Sequence, residues 1–222
     1  MSCDFGKLAE LCKDHGYGDA IKSIKSLVQK MRLAKYHRDE AVAKARLLIN
    51  HPDDLTNPQD DPKWIRAQYE VEAQTIAAAQ AMHSMADISA QIVNVCLGLG
   101  IPRKYVSAYG ISKMLNGQVN HTDIYSALVS LLDSDAFKYM EAFVNTAKHY
   151  HLIDMNYNIN INAETGAVAE GVRFQQFDYE RSKQVTTYPP TYAFTILDQY
   201  SSEIFEKICT LVDKLIEFME RP

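Results

Sequence analysis

Apolar positions recur every three or four residues along most of this chain, and that spacing marks amphipathic helices. Residues 4–14 read as a short helix closed by a left-handed glycine within "HGYG", Gly16 or Gly18. Asp19 is placed to cap a long helix reaching about Asn50, with a stripe through Ile21, Ile24, Val28, Met31, Lys35, Arg38, Val42, Ala45 and Ile49. Its charged middle, "KYHRDE", predicts a stretch only half covered. The segment "HPDDLTNPQDD" reads as a turn-rich acidic loop. Asp61 and Pro62 then open a second long helix over about 62–98, with a seam through Ile65, Tyr69, Glu72, Ile76, Ala79, His83, Ala86, Ala90, Val93 and Leu97. Met82, Met85, Ile92 and Cys96 make a second apolar face, which places this helix centrally in a bundle. Shorter helices are expected at 103–115, 121–132 and 135–151, the last with Phe137, Met140, Phe143, Val144 and Ala147 on its covered side.

The period then changes to two. In "IDMNYNININ", Ile153, Met155, Tyr157, Ile159 and Ile161 alternate with polar residues, four of them Asn, as in a strand with one covered face. "AETGAVAEG" reads as a turn and "VRFQQFDYER" as the returning strand, with a bulge where Phe174 and Phe177 stand three apart. A final helix over about 193–219 carries Leu197, Ile204, Ile208, Leu211, Leu215 and Phe218. The predicted fold is mainly α: a single antiparallel helical-bundle domain, 1–222, with one β-hairpin at about 153–180 inserted before the C-terminal helix.

Composition narrows the function. The 222 residues are 47% hydrophobic and 23% charged, an ordinary balance for a globular chain. A net charge of -5 argues against double-stranded DNA as a partner held by bulk electrostatics. Cys3, Cys12, Cys96 and Cys209 show no CxxC spacing and read as reduced thiols, and the N-terminus carries no signal-peptide pattern. No run approaches the ~18 apolar residues of a membrane span. The expected location is the cytoplasm.

Candidate chemistry lies in two places. On the central helix, His83 and Asp87 are one turn apart and share a side, so they suit proton sharing or metal ligation, or a core histidine fixed by its own carboxylate. Glu72 lies three turns earlier on the same seam. Dimetal bundles use Glu-x-x-His pairs; here Gln80 and Thr146 stand at the Glu positions before His83 and His149, so neither a metal nor another cofactor is expected. The second place is "FVNTAKHYHLID". At 100° per residue His151 falls with Met140, Val144 and Ala147, whereas Asn145 and His149 share the opposite face with Lys148 beside them. Asn145, Lys148 and His149 combine an amide, a cation and a group titrating near neutrality, a set able to orient a phosphate. A solvated helix face accounts for the same pattern.

"FVNTAKHYH" resembles the Arg-Asn-x-x-x-His-x-Tyr region of HEPN domains, helical bundles of prokaryotic toxin and defence systems, many of them dimeric, metal-independent ribonucleases. The resemblance implies RNA as partner, Asn145 and His149 in the motif positions and His151 at the place often held by Tyr; the motif Arg is replaced by Val144. Three readings follow: a HEPN-like RNA-binding or RNA-cleaving protein acting through His149, Asn145 and Lys148; a catalytically inert dimeric interaction or accessory protein; and a metal- or nucleotide-binding hydrolase using Glu72, His83 and Asp87. The expected assembly is a homodimer, with the apolar hairpin face around Tyr157 and Ile159 packed on a second subunit.

Overall fold

The computed structural model describes residues 3–49, 61–161 and 168–221. The acidic loop read at 51–60 and the first half of the turn read at 163–171 lie outside them. Among the described residues the chain is mainly α: α1 (Phe5–Asp14), α2 (Gly18–Ile49), α3 (Pro62–Cys96), α4 (Ala108–Leu115), α5 (Thr122–Leu132), α6 (Asp135–His149) and α7 (Ser201–Met219). Antiparallel strands stand between α6 and α7.

The helix ends show why the boundaries fall where they do. Asp4 accepts the Lys7 N–H at 2.8 Å, and Asp61 accepts the Lys63 N–H at 2.9 Å ahead of Pro62. Gly16, at φ 74°, completes a Schellman closure of α1, in which Tyr17 N–H reaches Cys12 O and Gly16 N–H reaches Lys13 O. Gly98, at φ 60°, ends α3 the same way, with Leu99 N–H on Asn94 O. Asp19 is not the cap of α2: the helix starts at Gly18, and Asp19 sits in its first turn, paired with Lys22 at 2.9 Å.

The chain forms two compact units. The first comprises Met1–Leu33, Ala81–Lys138 and Ser201–Pro222. Here α1 and α5 each pack on α7, and α4 packs on α5. Leu8, Leu27, Met82, Met85, Ile92, Ile111, Leu128 and Ile208 fill its core. The second unit comprises Ala34–Gln80 and Tyr139–Tyr200. Its core is aromatic: Phe143 and Phe174 meet edge to face at 4.9 Å, and Tyr139 lies against Phe143, Phe177, Tyr188 and Tyr200.

The inserted β region has more strands than the sequence suggests. β1 (Met155–Ile161) pairs antiparallel with β2 (Val168–Phe174), and β2 also pairs with β5 (Thr191–Tyr192). β3 (Phe177–Arg181) and β4 (Gln184–Tyr188) form a separate hairpin, turned by Ser182 and Lys183 at φ 52° and 68°, the left-handed pair of a two-residue type I′ turn. Gln175–Gln176 is therefore no bulge within one strand. It is the point where the chain leaves one sheet for another. Val168–Gly171, read as turn, belongs to β2.

Candidate functional site

Of the candidates read from the sequence, His83 and Asp87 fall in the first unit, and Glu72, Asn145, Lys148, His149 and His151 in the second. His83 is half-buried and stacks on Phe137, ring centroids 6.0 Å apart at 16°. Asp87 is exposed, and its carboxylate accepts the Ala108 N–H at 2.9 Å, holding the start of α4. Neither residue is buried, against the reading of a core histidine fixed by its own carboxylate. Asp87 faces the first turn of α4, where orphan backbone N–H groups attract a carboxylate.

In the second unit, α6 ends at His149, about two residues earlier than the pattern implied. Lys148, His149, Tyr150 and His151 are all exposed. His151 lies beyond the helix, so the 100° projection that placed it on the apolar face does not apply to it. Asn145 is half-buried and its amide donates to the Tyr179 hydroxyl at 3.1 Å. Val144, at the position of the motif Arg, is buried. Asn145, Lys148 and His149 remain neighbours on one helix; β3 meets the Asn145 side through Tyr179, while Lys148 and His149 stay exposed.

A concave feature of the second unit lies elsewhere, along the N-terminal half of α3. The sequence seam through Ile65, Tyr69 and Glu72 is not the buried one. The covered side carries Trp64, Ala67, Val71 and Ala78, one residue back on the helix. Trp64 is 7% exposed and meets Tyr157 of β1 edge to face, centroids 5.5 Å apart at 70°. Gln68 reaches the Met155 sulfur at 3.8 Å. Ile153 is buried, and Met155 and Tyr157 are half-buried, so α3 covers the base of the hairpin face; the side chains of Ile159 and Ile161 lie outside the described residues.

This rotation turns Ile65, Tyr69 and Glu72 toward a groove of about 780 Å³, whose other wall is the segment from Leu152 to Tyr157. Three aromatic residues line it: Trp64, Tyr69 and Tyr157. Its two ionisable carboxylates, Glu72 and Asp154, have no cation partner among the described residues, and no Lys, Arg or His lines it. Burial raises the Glu72 carboxyl above its ordinary range. Ile65, Tyr69 (62% exposed) and Leu152 (61%) leave apolar surface open at the rim. Sequence reasoning singled out Glu72 alone. The available signal was the phase of the chain's one tryptophan, which claims the covered side of α3.

Several other charged groups of this unit are paired. Arg38 binds Asp198 of the π-helical turn Thr195–Tyr200, and Lys44 and Arg66 both hold Glu70, at 2.9 and 3.0 Å. The buried Tyr139 phenol is raised well above its ordinary value by burial, partly offset by Thr191. Among the described residues no three His, Cys, Asp or Glu side chains converge as a metal site, and no helix is long and apolar enough to cross a membrane. In the first unit, Cys12 and Cys96 bring their sulfurs within 3.7 Å, an adjacency invisible in their spacing.

Comparison with protein-family models, curated proteins and solved structures gives no match.

Proposed function

We propose that the protein is a catalytically inert interaction module that acts as a homodimer and docks its partner at the groove between α3 and residues 152–157. The observation that carries this reading is the contrast between the two regions of the second unit. The HEPN-like positions hold an amide tied to Tyr179, a buried valine and two exposed histidines, His149 and His151, with the exposed Lys148 beside them. General acid–base work on a phosphate needs groups converging within hydrogen-bond reach of one another or of the substrate. The groove, by contrast, is concave, carries three aromatic rings beside two carboxylates, and has the volume typical of ligand sites.

Self-association has its own support. β1 ends the sheet order β1-β2-β5, and Met155–Ile161 contains no charged residue and no proline, the features that usually blunt an edge strand. Pairing of two such edges would be antiparallel, and Asn158, central in the seven-residue strand, would lie near the two-fold axis. Asn158→Lys is expected to convert the dimer to monomer in light scattering. A wild-type protein that is monomeric at micromolar concentration would refute the dimer.

The catalytic half of the proposal is tested by incubating the protein with single-stranded RNA, with and without EDTA. The expected result is intact RNA. EDTA-resistant cleavage that disappears in His149→Ala would overturn the inert reading in favour of a ribonuclease.

A further inference from the structure

We propose that the groove binds an organic cation, an alkylated ammonium group, held between the Glu72 and Asp154 carboxylates and the rings of Trp64, Tyr69 and Tyr157. This inference rests on reading the protein as a binding module, and it names the ligand class. Two carboxylates line a groove to which the described residues contribute no cation, and Glu72 is partly desolvated there with no compensating partner among the described residues. A desolvated carboxylate gains most from a cation delivered by a ligand. A bare metal ion fits poorly, because it needs several oxygen ligands converging at fixed distances, and the described residues supply no such cluster. An alkylated ammonium asks for something different. It is weakly hydrated, donates few or no hydrogen bonds, and is attracted to the faces of aromatic rings. Trp64 and Tyr157 stand at 70° to each other, as two adjoining walls, and the exposed Tyr69 supplies a third ring. The groove's 780 Å³ exceeds the volume of a trimethylammonium group, leaving room for the body of the ligand beside Ile65 and Leu152.

The same head group occurs on a methylated lysine side chain and on choline and its lipids. Trp64 is the one tryptophan of the chain, so fluorescence excited selectively at tryptophan reports on this groove. The experiment titrates the full chain with choline, with its neutral isostere 3,3-dimethylbutanol, with a trimethyllysine peptide and its unmodified counterpart, and with phosphatidylcholine vesicles. Saturable change with choline, at least tenfold weaker for the neutral isostere and at least tenfold weaker in Glu72→Gln, is expected. Tyr69→Ala, at an exposed position that should leave the circular dichroism unchanged, should weaken binding similarly. Tighter binding of the trimethyllysine peptide assigns the head group to a protein partner, and tighter binding of vesicles assigns it to a lipid. Equal affinity for the isostere, or no saturable response to any of the cations, overturns the proposal. RNA cleavage in the earlier assay would overturn the inert reading while leaving the cation result standing, so the two failures are distinguishable.

Discussion

Replacing Asp87 separates a structural from a catalytic role for the central-helix pair. Its carboxylate takes the Ala108 N–H at 2.9 Å, while Ser107 takes the Gly110 N–H at 3.1 Å, so two of the orphan donors of α4 are satisfied by side chains. Removing a capping acceptor typically costs about 1 kcal/mol. The favourable charge at the helix N-terminus adds a few tenths, discounted because Asp87 is exposed. Asp87→Ala should therefore destabilise α4 by about 1 kcal/mol, near 2–4 °C in melting temperature for a domain of this size. The local readout is sharper: the Ala108 amide should exchange with solvent roughly fivefold faster. Asp87→Asn keeps an oxygen acceptor and should lose less than half as much. If Asn proves as damaging as Ala, the charge itself matters, and an acid–base or ion-pair role with His83 regains its footing. If neither variant changes exchange at Ala108, the capping account is wrong.

Other outcomes follow from the same structure. Phe143→Ala removes a ring that is 1% exposed and packed on Phe174 and Tyr139, and should cost about 3–5 kcal/mol by urea denaturation; a loss under 1 kcal/mol would show that the aromatic cluster is not the core of its unit. His149→Ala, at an exposed helix end, should shift the same midpoint by less than about 0.5 kcal/mol. The raised carboxyl of Glu72 means that folding disfavours its charged form. The penalty is present above the folded-state pKa and disappears as pH falls through it toward the unfolded value, so Glu72→Gln should stabilise the protein at neutral pH and have little effect near pH 3. A variant that is equally or less stable at pH 7 would contradict this. The 3.7 Å approach of Cys12 and Cys96 predicts that a thiol oxidant such as diamide closes a disulfide between them, seen as a Cys12–Cys96 cross-linked peptide in a non-reduced digest that Cys96→Ser should abolish.

Helix and strand periods made most of the fold legible from sequence. Asp61–Pro62 marked the start of α3, Gly16 and Gly98 occupy left-handed closures, and Leu197, Ile204, Ile208, Leu211 and Leu215 are buried as their spacing implied. Alternation located β1 but could not name its partners. The Phe174–Phe177 step is the same in sequence whether it marks a bulge or a change of sheet, and only the pairing of Phe177 with Tyr188 decides. The seam read along α3 holds at Ala79, Ala86, Ala90 and Val93 but not in the N-terminal half, where Ile65 and Tyr69 are as apolar as residues on the buried side and Trp64, the bulkiest, sets which side is covered. The same one-residue rotation hid the groove, since Leu152 and Asp154 lie some eighty residues away from Glu72 in the chain. His151 misled for the opposite reason, its helical position being inferred past the end of the helix.

The most direct test of a binding module over a nuclease is an NMR titration that follows the Trp64 indole N–H and the His149 imidazole in one sample. On addition of a trimethylammonium ligand the account predicts a saturable shift at Trp64 with His149 unmoved, and on addition of single-stranded RNA no shift at either. An RNA-induced shift at His149 with RNA cleavage, while Trp64 stays silent toward every cation, would contradict it.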